Sequence, residues 1–161
     1  MNGRAAWVAM LARWVLGGVF ITLGALKISD PVGFLKAVRQ FGVVEDTSPV
    51  LLNLMAALLP WVEVWCGLLL VLGVAVRGTA LTLVVLLVVF TWAIATRTFA
   101  IHGAGGTALC AIAFDCGCGT GVVNACRKLA ENTGLLALGV LVLVRRDDRL
   151  CLRRTLLAPR G

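Results

Sequence analysis

Residues 78–101 read GTALTLVVLLVVFTWAIATRTFAI, a stretch whose only charge, Arg97, stands near its end. At a rise of about 1.5 Å per residue a helix of this length covers about 36 Å, and a bilayer hydrocarbon core is about 30 Å thick. The segment is therefore predicted to cross a membrane. The whole 161-residue chain points the same way: 60% of it is hydrophobic and 14% is charged, with a mean hydropathy of +0.99. A soluble domain is about 45–50% apolar and about 25% charged. The excess has to meet lipid, which excludes a cytosolic globular enzyme, a disordered chain and a collagen-like fibre.

Working outward, a second run covers residues 50–76 and carries Asn53, Pro60 and Glu63, and a first covers residues 5–26 around Arg13. The last continuous apolar core, residues 133–144, is too short to cross alone, but Asn124 is a plausible N-cap. Counted from Ala125 to Val144 the helix reaches the required length, with Arg127, Lys128, Glu131 and Asn132 in its first two turns. Asp30-Pro31, followed by Val32, Phe34, Leu35, Val38 and Phe41 with Lys36 and Arg39 interleaved, reads as a short amphipathic helix on the membrane surface. Arg13 interrupts the first run and no small-x-small cleavage site follows, so an uncleaved span is expected. The expectation is a single all-α domain over residues 1–161: a four-helix transmembrane bundle with a Cys-rich outward loop.

The net charge of +7 forms no face that would hold nucleic acid. Arg145, Arg146, Arg149, Arg153, Arg154 and Arg160 crowd the C-terminus instead. With Arg4 and Arg77 they outnumber Lys27, Lys36, Arg39, Arg97, Arg127 and Lys128, so both termini are expected in the cytoplasm of an inner-membrane protein. Loops 27–49 and 102–124 then face a compartment where disulfides persist.

That outward region holds Cys110, Cys116, Cys118 and Cys126, while Cys66 lies in the second run and Cys151 in the tail. Cys116-Gly117-Cys118-Gly119 sets two thiols one residue apart, and a disulfide across so short a gap is strained. Strained, exposed disulfides are the exchangeable ones. Cys126, in the first turn of the last helix beside Arg127 and Lys128, is a candidate nucleophile, since a helix N-terminus and two cations favour thiolate. A relay of Cys126 onto the Cys116/Cys118 pair, with Cys110 as a resolving or spare thiol, follows. Four cysteines allow three pairings. The rivals are purely structural disulfides and a tetrathiolate metal site, although the spacings lack the two-residue gaps of zinc sites. Cys66, expected among Trp61, Trp65 and leucines, and Cys151 read as inert.

Charges inside spans are functional hypotheses by default. Counted from the cytoplasmic ends of their spans, Arg13 lies about 12 Å deep and Glu63 about 20 Å deep. Arg13 is the expected partner of Glu63, with Lys27 the alternative. The pair reads either as an ion pair that fixes packing or as a proton or quinone site beneath the thiol loop. Gly17, Gly18, Gly24, Gly67 and Gly73 suggest close helix contacts. His102, the single histidine, makes no metal site.

The pattern Arg13, Gly17, Phe20, Gly24, Lys27, Asp30-Pro31, Phe34, then Pro60-x-x-Glu63-x-x-x-Gly67, Phe90, Arg97 and Cys116-Gly-Cys118-Gly resembles the MauE/DoxX family of redox-associated membrane proteins over nearly the whole chain. The resemblance implies a four-helix transmembrane bundle. For the MauE branch it implies a role in maturing the disulfide-rich periplasmic methylamine dehydrogenase beside a thioredoxin-like partner, and for the DoxX branch an association with thiosulfate:quinone oxidoreductase. Arg13, Lys27, Glu63, Cys116 and Cys118 carry over by position. Gly119-Thr120-Gly121 departs from the family loop, and Cys110 and Cys126 are extra. The chain reads as a membrane thiol-disulfide protein, monomeric or oligomeric, that works with an outward thioredoxin-like partner. A soft-metal transporter and a non-catalytic maturation scaffold are the alternatives.

Overall fold

The computed structural model describes residues 3–41, 48–105, 108–115 and 121–145. The order is α1 (Gly3–Ser29), α2 (Pro31–Gln40), α3 (Pro49–Leu72), α4 (Val76–Gly105), a 3₁₀ turn (Leu109–Ala111), β1 (Ala113–Asp115), β2 (Val122–Asn124) and α5 (Ala125–Val144). Residues Trp7–Ser29, Pro49–Leu72 and Val76–Gly105 are long and apolar enough to cross a membrane. The chain is thus an integral membrane protein. α5 has the length expected for it, but its first turns are too polar to qualify on composition.

The apolar surface is turned outward. Trp7, Trp14, Trp61, Trp65, Trp92 and Phe99 are all exposed, which in water would be prohibitive and in lipid is a solvated surface. Threonine hydroxyls on α4 are satisfied internally: those of Thr82, Thr91, Thr96 and Thr98 donate to the carbonyls of Gly78, Leu87, Trp92 and Ile94, one turn back. These threonine hydroxyls therefore present no unmet donor to hydrocarbon.

Between α1 and α3 the backbones nearly touch. A Cβ on Gly17 would lie 2.8 Å from the Gly67 carbonyl oxygen, one on Gly67 2.8 Å from that of Gly17, and one on Gly24 2.9 Å from that of Pro60. Two of the expected small-residue positions do other things. Gly18 faces open space, and Gly73 ends α3 in the left-handed conformation (φ 74°, ψ 29°), with the Val74 amide donating back to the Leu69 carbonyl. That cap cuts the second helix at Leu72, short of the expected Val76. Between α4 and α5, Gly139 instead makes room for the Val84 side chain. Leu16, Phe20, Leu70, Leu83, Leu87 and Val142 fill the centre.

α2 begins where the sequence signals it. The Asp30 carboxylate accepts the Gly33 amide at 2.9 Å, and Pro31 occupies the first turn, where no donor is needed. Phe34 and Ala37 are buried beneath it and Val32 is exposed. α2 lies against α1 and α3, at the end of the bundle that also carries the hairpin. Phe41, just past α2, meets Phe114 of β1 edge to face at 5.9 Å.

Candidate functional site

Beneath α2, three helices converge on one ammonium group. Lys27, in the last turn of α1, is 4% exposed and donates to Glu63 Oε1 on α3 at 2.5 Å. Its Nζ also lies 5.1 Å from the ring centre of Phe34 on α2 and 4.6 Å from that of Phe90 on α4. Two aromatic faces and a carboxylate thus replace the water that a lysine would otherwise keep. Glu63 is fully buried, and its second oxygen, Oε2, accepts no hydrogen bond.

Of the two partners the sequence allows for Glu63, the structure takes Lys27 and corrects the expected pairing with Arg13. The reason is register. Gly17 packs against Gly67 and Val71, and Gly24 against Pro60 and Glu63, so Arg13, one turn before Gly17, is level with the end of α3 near Gly73. Along α1 it lies about 21 Å from Lys27, fourteen residues at about 1.5 Å each. Counting depth from the expected helix ends concealed this, because α1 runs past α3 at that end. Arg13 is fully buried in its own place.

Next to the Lys27–Glu63 pair is a cavity of about 100 Å³, walled by Phe20, Phe34, Phe41, Phe90, Met55 and Leu135 among others. Lys128 and Asn132 of α5 also line it and are buried, at 6% and 5% exposure. Lys128 bonds Glu131 at 3.4 Å, while Arg127 pairs with Glu131 at 2.9 Å on the outer face. By composition these residues read as a polar first two turns of α5. Their spacing, Lys128 and Asn132 with Leu135 following, is one helix face, and this was the signal that could have placed them inward.

Among the cysteines, Cys110 and Cys126 are joined in a disulfide. This pairing replaces the expected thiolate at Cys126, which in this form has no thiol to ionise. The bond fastens the 3₁₀ turn to the first turn of α5, and two further ties act at the same place. The Asn124 amide donates to the Cys110 carbonyl, and the Ala125 amide donates to the Ile112 carbonyl at 3.0 Å. Asn124 is also the N-cap expected from the sequence: its side-chain oxygen accepts the amides of Cys126 and Arg127. β1 and β2 pair antiparallel, Ala113 opposite Asn124 and Asp115 opposite Val122. Cys116 and Cys118, in the stretch that joins them, lie outside the described residues, as does Cys151. Cys66 is partly buried and free, but Trp61 and Trp65 point away from the core rather than around it. His102 is exposed at the end of α4.

Neither the curated proteins nor the solved structures contain a match to this chain. The family model described as methylamine utilisation protein MauE matches residues 5–145, from the start of α1 to the end of α5. This span takes in the Lys27–Glu63 pair, the cavity and the disulfide, and the chain belongs to the MauE family.

Proposed function

We propose that this protein crosses the cytoplasmic membrane four times, with both termini inside. In this reading it exchanges disulfides through Cys116 and Cys118 with an outward thioredoxin-like protein, in the service of maturing a disulfide-rich extracytoplasmic protein. Membership of a family described by methylamine utilisation supports the maturation role, and the tail arginines support the orientation. The observation that carries the exchange reading is the Cys110–Cys126 disulfide. It closes the base of the β-hairpin and takes two of the four clustered cysteines out of competition, so that Cys116 and Cys118 remain to each other. α5 would complete the bundle by packing Lys128, Asn132, Gly139 and Val142 against α1 and α4 and turning Val140 and Val144 toward lipid.

The exchange would balance as follows. A thiolate of the reduced partner attacks one sulfur of the Cys116–Cys118 disulfide and forms a mixed disulfide while the other sulfur leaves as thiolate. The partner's second thiolate then resolves the mixed bond, and the partner leaves oxidised with Cys116 and Cys118 reduced. The reverse sequence reduces the partner. The test is trapping. In cells that carry Cys118→Ser, Cys116 should accumulate in a mixed disulfide with a protein of thioredoxin fold, identified by mass spectrometry. Trapping should persist when Cys110 and Cys126 are both changed to Ser. Failure to trap, with an unchanging thiol state at Cys116 and Cys118, would reduce the protein to a scaffold with structural disulfides.

A further inference from the structure

The cavity beneath α2 has features that a packing void lacks. Glu63 is fully buried, yet only Oε1 is engaged and Oε2 is left without a donor. A buried acceptor in hydrocarbon is costly unless something donates to it. An occupant carrying an O–H would meet that need. Facing Glu63 across the cavity is a second polar edge. α3 and α5 each pack on α1 and α4, so Glu63 of α3 and the Lys128–Asn132 face of α5 reach the space from opposite sides. Lys128 and Asn132 both carry donors. Between the two edges the walls are aromatic, with Phe20, Phe34 and Phe90. The occupant these walls fit has a flat apolar body, a hydroxyl on one edge and an oxygen acceptor on the opposite edge. A volume of about 100 Å³ is on the scale of a single ring, given that an engineered protein cavity of about 150 Å³ takes up benzene.

We propose that this cavity binds the ring of a lipid-soluble para-diol, the reduced form of a benzoquinone. One ring hydroxyl donates to Glu63 Oε2, and the opposite ring oxygen accepts from Asn132 or Lys128. The site rests on the thiol-exchange reading for its use. Oxidation of the Cys116/Cys118 dithiol to the disulfide releases two electrons and two protons, and the same two electrons and two protons convert a quinone to its diol. The cavity thus supplies a membrane-soluble acceptor on the side of the bundle that carries the hairpin.

The test is equilibrium binding to the full chain in nanodiscs, with decylubiquinol and its di-O-methyl ether as probes and with the cysteines kept oxidised. The diol should saturate at one per chain and bind at least about ten-fold tighter than the ether, because only the diol can donate to a buried carboxylate. Glu63→Gln should reduce that preference to about three-fold or less. Should Glu63→Gln fail to fold, Ala93→Phe decides in its place. It fills the cavity from α4, where Ala93 is part of the wall, leaves every polar group intact, and should abolish binding of both probes. Equal affinity for diol and ether, or undiminished binding in Ala93→Phe, would overturn the proposal. Binding is read without any thiol turnover, so a chain that traps its partner yet takes up no diol sinks this inference alone.

Discussion

Lys27→Met is the substitution that asks most of the bundle. It removes in one step the contact to Glu63 and the two ring contacts at 4.6 and 5.1 Å, and it leaves a fully buried carboxyl with neither oxygen engaged. Removing one partner of a buried pair costs about 3–5 kcal/mol, and a desolvated cation over an aromatic face adds up to about 2. Protonation of Glu63 returns part of this, so a loss of about 4 kcal/mol is expected. Glu63→Gln is milder. The ammonium stays over both rings and gains an amide oxygen, and a cost of about 2 kcal/mol follows from replacing a charged acceptor by a neutral one. The double variant leaves only a neutral amide in an apolar pocket, at about 3 kcal/mol, so the coupling between the two positions is about 3 kcal/mol. Titration of sodium dodecyl sulfate into mild-detergent micelles, followed by helical ellipticity, measures all three. Arg13→Gln serves as the control, since its cost should simply add to that of Glu63→Gln. Additive costs for Lys27 and Glu63, or a Glu63→Gln variant less stable than Lys27→Met, would refute the reasoning.

Helix contacts, the α5 junction and the topology give further expected outcomes. Gly67→Ala should cost about 1–3 kcal/mol, because the new methyl would sit 2.8 Å from the Gly17 carbonyl oxygen and the two helices must part; Gly18→Ala, with nothing within 4 Å, should be neutral or stabilising by about 0.5–1 kcal/mol, both read by the same titration. Asn124→Ala should lose about 1 kcal/mol of helix cap and speed amide exchange at Cys126 and Arg127, whereas Cys110→Ser should lower stability by about 3 kcal/mol, the loop-closure value for a separation of 16 residues. On intact cells after mild reduction, a membrane-impermeant maleimide should label Cys116 and Cys118 and spare Cys151, and the opposite pattern would invert the topology.

What the sequence made legible was local. Apolar length marked the spans, Asp30-Pro31 marked the start of α2, and Asn124 marked the start of α5 as its N-cap, because each depends on neighbours a few residues away. The partner of Glu63 depends on the register between α1 and α3. That register is set by Gly17, Gly24 and Gly67 meeting opposite backbones, and no count from the helix ends could supply it. The disulfide likewise follows from how the 3₁₀ turn lies on α5. The same holds for Lys128 and Asn132: charge in a first turn reads as solvated until a cavity is seen on its other side. Gly73 reads as a packing glycine by composition, although a glycine at the close of an apolar run serves equally well as a helix cap.

α5 also bears on how the protein is made. A charged residue near the centre of an inserting helix costs roughly 2.5–3.5 kcal/mol on the translocon scale, less toward the ends, and Arg127, Lys128 and Glu131 all stand in the first two turns of α5. α1, α3 and α4 can each leave the insertion machinery by apolarity alone. If α5 is the fourth span proposed above, it would gain its place from contacts that exist only once α1 and α4 are present, such as the seat of Gly139 against Val84, and biogenesis would have an order in which the last helix joins a template already assembled. The crosslink between Cys110 and Cys126, formed after that docking, would then lock a late and reversible step, and the oxidising machinery outside the membrane would act as the proofreader of a membrane-insertion event.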